Sequence, residues 1–168
     1  MRRMVINVGL LFLAFTIQNG VFPLIPFLSA TPNLLLILTF SFGFIYGQKA
    51  GMLYGLLAGI LLDLFYSGPF GFYTLLFINI GYFNGIFTRY YYEDYITLPL
   101  ILSLVNELIY NGYIYVFRFL IRSRLDLLYY TREIIIPETI FTIVTTLLIY
   151  RFFLFTNRRL KEMENRRD

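Results

Sequence analysis

The chain has 168 residues, enough for one domain, and is 58% hydrophobic but only 14% charged, with a mean hydropathy of +0.69; soluble domains carry about 25% charged residues, so a soluble fold is excluded. The net charge of +4 comes from basic residues near segment ends, which is a membrane-topology signal, and no nucleic-acid partner is expected. Neither Cys nor His is present, which excludes disulfides, thiol chemistry, thiolate or imidazole metal sites and histidine acid–base catalysis; no cofactor and no metal are expected.

A spanning helix needs about 20 mostly apolar residues, and six stretches qualify as candidates. The first is Met4–Phe22, directly after Arg2 and Arg3. It starts like a signal peptide, but Gln18, Asn19, Gly20 and Pro23 stand where a small-residue cleavage site belongs, so it is expected to stay. Pro23 and Pro26 break it, and Pro23–Thr31 reads as an uncharged loop. The second helix is Pro32–Tyr46, with Pro32 in its first turn. Gln48 and Lys49 read as a tight turn before the third, Ala50–Phe65. Ser67-Gly68-Pro69 is a turn signal, and Phe70–Thr88 is the fourth. Arg89–Tyr95 is a tyrosine-rich polar loop, and Ile96–Phe117 is the fifth helix. Arg118–Arg132 is a basic amphipathic connector, and Glu133–Phe155, with Pro137 in its first turns, is the sixth. Residues 1–156 thus form one transmembrane domain, and 157–168 a charged, frayed tail on the cytoplasmic side.

The expected class is an all-α membrane protein with six transmembrane helices. With the N-terminus in the cytoplasm, the inside receives Arg2, Arg3, Lys49, Arg89, Arg151, Arg158, Arg159, Lys161, Arg166 and Arg167. The outside receives only Arg118, Arg122, Arg124 and Arg132. Positive charge is retained on the cytoplasmic side, so both termini are expected there.

Gly43, Gly47, Gly51, Gly55 and Gly59 fall at every fourth position, and Asp63 continues the series one turn later. Gly81 and Gly85 repeat the spacing on the fourth helix. Small residues four apart let helix backbones approach closely in lipid, where packing replaces the hydrophobic effect. The stripe therefore packs inside this chain or receives a partner's helix. Along it, Gly55→Ala is expected to be mild, Gly55→Leu severe, and Tyr54→Leu, on another face, mild. Asp63 is either wet at its helix end or turned into the bundle on the glycine face. Glu107 lies at mid-helix, beside Asn106 and one turn from Asn111. An ionisable group at that depth must be paired, protonated or turned to water. No Lys or Arg sits at mid-depth to pair it. Asn19, Asn79, Asn111 and Glu138 are further polar positions that, with Glu107, can line one inward cavity. Arg118, Arg122 and Arg124, interleaved with apolar residues, form a basic patch that anchors on lipid headgroups or docks a partner. No nucleophile motif, phosphate-cradling loop or metal-ligand cluster is present, which argues against an enzyme.

The run from Gly47-Gln48-Lys49-Ala50-Gly51 through Gly55 and Gly59 to Asp63, then Gly68-Pro69-Phe70-Gly71-Phe72-Tyr73, resembles the rod shape-determining family MreD. The preceding Pro32-Asn33 and the late Ile136-Pro137-Glu138-Thr139-Ile140 are similar too. The resemblance covers nearly the whole chain and is most specific over residues 47–73. It implies a bacterial plasma-membrane protein of the lateral peptidoglycan synthesis machinery, without catalytic activity. Its implied partners are MreC, RodA and a penicillin-binding transpeptidase reached directly or through MreC, and the MreB filament reached indirectly. The implied fold is that of the six-helix substrate-binding subunits of energy-coupling-factor transporters. A small-molecule-binding subunit of a vitamin-uptake transporter is therefore the alternative reading.

Overall fold

The computed structural model describes residues 2–25, 30–90, 96–117 and 127–164. Among these residues every regular element is helical, and they form six rods. The first is α1 (Arg2–Thr16), prolonged by a π turn (Ile17–Val21) and a 3-10 turn (Phe22–Leu24) that carries Pro23 where no backbone donor is needed. Next come α2 (Leu34–Tyr46), α3 (Gln48–Phe65), α4 (Phe72–Ile86) and α5 (Thr97–Tyr115). The last rod joins the short α6 (Leu127–Tyr130), through a π turn (Thr131–Ile135), to α7 (Ile136–Glu164).

Several boundaries differ from expectation for local reasons. Pro32 stays outside α2, because Asn33 is its cap: the Asn33 side chain accepts from the Leu36 N–H at 3.2 Å. Gln48 and Lys49 are not the turn but the first residues of α3. The break is Gly47 alone, at φ +92°, a conformation only glycine adopts freely. Gly71, at φ +98°, does the same before α4, which starts two residues later than expected. The basic tail is helical in backbone as far as Glu164, in keeping with its Arg, Lys, Leu, Met and Glu residues, all good helix formers.

The rods are inside out relative to a soluble bundle. On α5 the exposed face is Ile101, Leu104, Val105, Leu108 and Ile109, while Ser103, Asn106, Glu107 and Asn111 are buried. On α7 the exposed face carries Ile140, Val144 and Leu148, and Thr139, Thr142 and Thr146 are buried. Apolar side chains outside and polar ones enclosed between helices is the arrangement lipid demands. By length and composition, Met4–Leu24, Gln48–Phe65 and Leu128–Arg151 can each cross a membrane.

The short helix α2 is the axis of the bundle. Its 13 residues rise about 20 Å, less than the hydrocarbon thickness of about 30 Å. It packs on α1, α3, α4, α5 and α7, and Leu35, Leu36, Ile37 and Phe40 are wholly buried. A helix apolar on all sides is stable only when enclosed.

Candidate functional site

Two seams hold the bundle, and they use different chemistry. The first is the α3–α4 hairpin. A Cβ on Gly55 would overlap the Phe77 carbonyl, one on Gly59 the Thr74 backbone, and one on Gly51 the Gly81 carbonyl. From the other side, a Cβ on Gly81 would overlap the Gly51 carbonyl and one on Gly85 the Gln48 backbone. Gly43 of α2 meets the Gly81 carbonyl as well, so three helices touch backbone to backbone at Gly43, Gly51 and Gly81. Such contact is open only to residues without side chains. The glycine face of α3 therefore lies on α4, within this chain.

Asp63 closes the hairpin. Its carboxylate accepts from the backbone N–H of Gly71 (3.0 Å), Tyr73 (2.8 Å) and Thr74 (3.0 Å) and from the Thr74 hydroxyl (2.6 Å). Gly71 itself has no capping side chain. The cap for α4 is thus supplied from α3, where a negative charge also meets the positive end of the helix dipole. The remaining first-turn donors are used too: Phe72 donates to the Pro69 carbonyl and Leu75 to the Gly71 carbonyl. Asp63 is buried and turned into the bundle, serving the helix that follows it.

The second seam is polar and runs along α5. Asn84 and Asn106 exchange side-chain amide hydrogen bonds at 2.7 and 2.9 Å, joining α4 to α5. Ser103 and Thr146 share a hydroxyl–hydroxyl bond at 2.9 Å, joining α5 to α7. The same antiparallel register sets Glu107 beside Thr142 and Asn111 beside Glu138. Asn111 donates to the Glu107 carboxylate at 3.2 Å. The backbone N–H of Asn33, at the start of α2, donates to the Thr142 hydroxyl at 3.1 Å. Tyr150 of α7 donates to Ser41 of α2 at 2.8 Å.

Glu107, Asn111 and Glu138 are therefore brought together where α2, α5 and α7 meet. Asn79 and Asn19 do not join them. Asn79 points to the outer surface of α4 and donates to its own Leu75 carbonyl. Asn19 accepts from the Tyr66 hydroxyl at 2.8 Å, tying the end of the first rod to the end of α3. The single cavity expected from the sequence is thereby corrected to a compact group of three, flanked by threonines. Arg118, Arg122 and Arg124 lie outside the described residues. Tyr54 is also corrected: it is buried, accepts from the Asn7 side chain at 3.1 Å and packs on Phe42.

Residues that sequence reading passed over complete the seams. Thr139, Thr142, Thr146 and Tyr150 recur at helical spacing on α7, and that spacing within an otherwise apolar helix is the signal that marks them. Gln18 is another: its carbonyl oxygen accepts from the Leu35 N–H at 3.0 Å, satisfying an early donor of α2. Nothing local marks it, because its partner lies across a loop.

The family of the rod shape-determining protein MreD matches residues 1–159, and the chain belongs to that family. No curated protein and no solved structure matches the chain.

Proposed function

We propose that this member of the MreD family is a non-catalytic scaffold of the bacterial elongation machinery. It crosses the plasma membrane six times with both termini in the cytoplasm and binds MreC. RodA and a penicillin-binding transpeptidase are reached directly or through MreC, and the MreB filament indirectly. The observation that carries this reading is the family match over residues 1–159. The buried polar side chains agree with it, since most of them bond helix to helix. The bundle is proposed to share the fold of the energy-coupling-factor substrate-binding subunits.

For MreC we propose the outer face of α4. Leu75, Asn79, Phe83 and Ile86 are exposed there. Asn79 sits midway along the helix; its side-chain amide donates to the Leu75 carbonyl, and its side-chain oxygen faces outward, where a polar atom in lipid is unfavourable until a partner helix donates to it. A photo-crosslinking amino acid at position 79 should capture MreC in cells, and one at Val144, on the outer face of α7, should not. Capture at 144 and not at 79 places MreC elsewhere; capture at neither, with no co-purification, removes MreC as a direct partner. The vitamin-uptake reading is less well supported, because the cavity it needs loses Asn79 to the surface and Asn19 to Tyr66.

A further inference from the structure

The hydrogen bond between Ser103 and Thr146 sets the register of α5 against α7. The two helices are antiparallel, so one turn forward on α5 meets one turn back on α7. Glu107 then lies opposite Thr142, and Asn111 opposite Glu138. Glu107 is wholly buried at the middle of α5, and Glu138 is half-buried near the start of α7. One side-chain amide serves both carboxyls: Asn111 donates to Glu107 at 3.2 Å and hydrogen-bonds to Glu138. The Thr142 hydroxyl is a further partner of Glu107. No Lys or Arg occurs in residues 30–46, 72–86, 97–117 or 133–150, which surround the pair. Two negative charges this close, with no counter-charge, are too costly to keep at this depth. A second observation points the same way. The Asn111 carbonyl oxygen is buried without a donor, although native interiors satisfy such atoms. A carboxyl that carries a proton is itself a donor, and supplies what Asn111 lacks.

We propose that Glu107 and Glu138 form a single proton-binding site, one proton held between the two carboxyls, which latches α7 to α5. With the proton in place the pair carries one negative charge, and the Asn111 amide and the Thr142 hydroxyl satisfy it. Without it, like charges face each other across the joint. Among its neighbours α7 packs chiefly on α5, so loss of the proton loosens the rod that continues into the basic tail. The other titratable groups facing the pair are Tyr110 on α5, Tyr73 on α4 and Tyr66 after α3. The short helix α2 brings none before Tyr46 at its far end, and Arg132, six residues before Glu138, is exposed. An ordinary phenol ionises at about pH 10, so near neutral pH the carboxyl pair is the group that responds.

The test compares the full wild-type chain with the double variant Glu107→Gln/Glu138→Gln in mild detergent by infrared spectroscopy. At neutral pH the difference spectrum should contain one protonated-carboxyl band and one carboxylate band per chain. The folded-to-unfolded ratio of the wild type should also fall about tenfold per pH unit between about pH 6 and 8, because the unfolded chain has released a proton that the native pair retains. That slope should vanish in the double variant and persist in Ser103→Ala, which lies on the same seam outside the pair. Two carboxylate bands would show that no proton is held, and two protonated-carboxyl bands that each group keeps its own; either result overturns the proposal. So does a slope that survives in the double variant. If the double variant does not fold, Glu107→Gln takes its place: beside a neutral amide the half-buried Glu138 ionises and the slope is lost, whereas a slope equal to that of the wild type overturns the shared proton.

Discussion

Gly55→Ala adds one methyl group, and at this position that is already too much. Its Cβ would sit closer than 3.0 Å to the carbonyl carbon and oxygen of Phe77, a separation real Cβ atoms essentially never show. The obstacle is backbone, so no rotamer change relieves it, and α3 and α4 must separate. The mild effect expected from residue size alone is therefore replaced by a severe one. Overpacking a well-packed interior costs about 1–3 kcal/mol, and backbone against backbone belongs at the upper end. At about 1.4 kcal/mol per factor of ten, the folded-to-unfolded ratio should fall by about 30-fold or more. Gly55→Leu should fall further. Gly112 is the internal control: it is helical, and a Cβ there meets nothing within 4 Å. Gly112→Ala should therefore stabilise by about 0.5–1 kcal/mol, through helix propensity alone. The assay is unfolding by titration of SDS into mild detergent, followed by tyrosine fluorescence. The reasoning is refuted if Gly55→Ala unfolds at the wild-type midpoint. If it folds normally but no longer co-purifies with MreC, the stripe serves a partner rather than α4.

Asp63→Ala should destabilise by about 1–3 kcal/mol, since it removes the acceptor for three backbone donors and one hydroxyl. Asp63→Asn, which keeps one oxygen, should fall between; an alanine variant that matches the wild type in SDS titration would show that α4 needs no cap. Asn84→Leu or Asn106→Leu alone should cost about 1–3 kcal/mol by leaving a buried amide unpaired, while the double variant recovers most of that. A double-mutant cycle measures the coupling, and strict additivity would show that the pair does not join α4 to α5. For topology, cysteine at Ser67, exposed after α3, should react with an impermeant thiol reagent in intact cells, and cysteine at Lys49 should not. The reverse pattern would invert the proposed orientation.

The helices were legible because lipid imposes a coarse rule, long apolar stretches ended by Gly, Pro or charge, and this chain obeys it. The α3 stripe was legible because glycine at every fourth position admits few uses. What escaped was what depends on register between helices. Asp63 shares the glycine face and stands eight residues before Gly71, but its capping role depends on the hairpin bringing its carboxylate to the start of α4. Asn19, Asn79, Glu107, Asn111 and Glu138 look alike to sequence reading: polar residues within apolar runs. Only packing separates Asn79, turned outward, from Asn111, turned inward, because one residue along a helix rotates the side chain by about 100°. Tyr54 misled for the same reason, since its neighbour Gly55 defines a face without saying what the adjacent face meets. The basic connector carries no such lesson, as Arg118, Arg122 and Arg124 fall outside the described residues.

The two seams give the bundle two kinds of order, and this bears on how a scaffold presents a surface. A glycine seam fixes a helix by exclusion. With Gly51, Gly55 and Gly59 against Gly81, Phe77 and Thr74, rotation of α4 by one residue would bring the Ile80 or Ile78 side chain onto the α3 backbone. The Asp63 cap then fixes its position along the axis, because the carboxylate reaches only the donors of the first turn. Rotation and height of α4 are both set, and with them the direction of Asn79 on its outer face. A polar seam fixes helices by pairing instead, and pairs one turn apart, such as Ser103–Thr146 and Glu107–Thr142, hold only while each group keeps its partner. The surface proposed for MreC therefore rests on the half of the bundle that cannot turn.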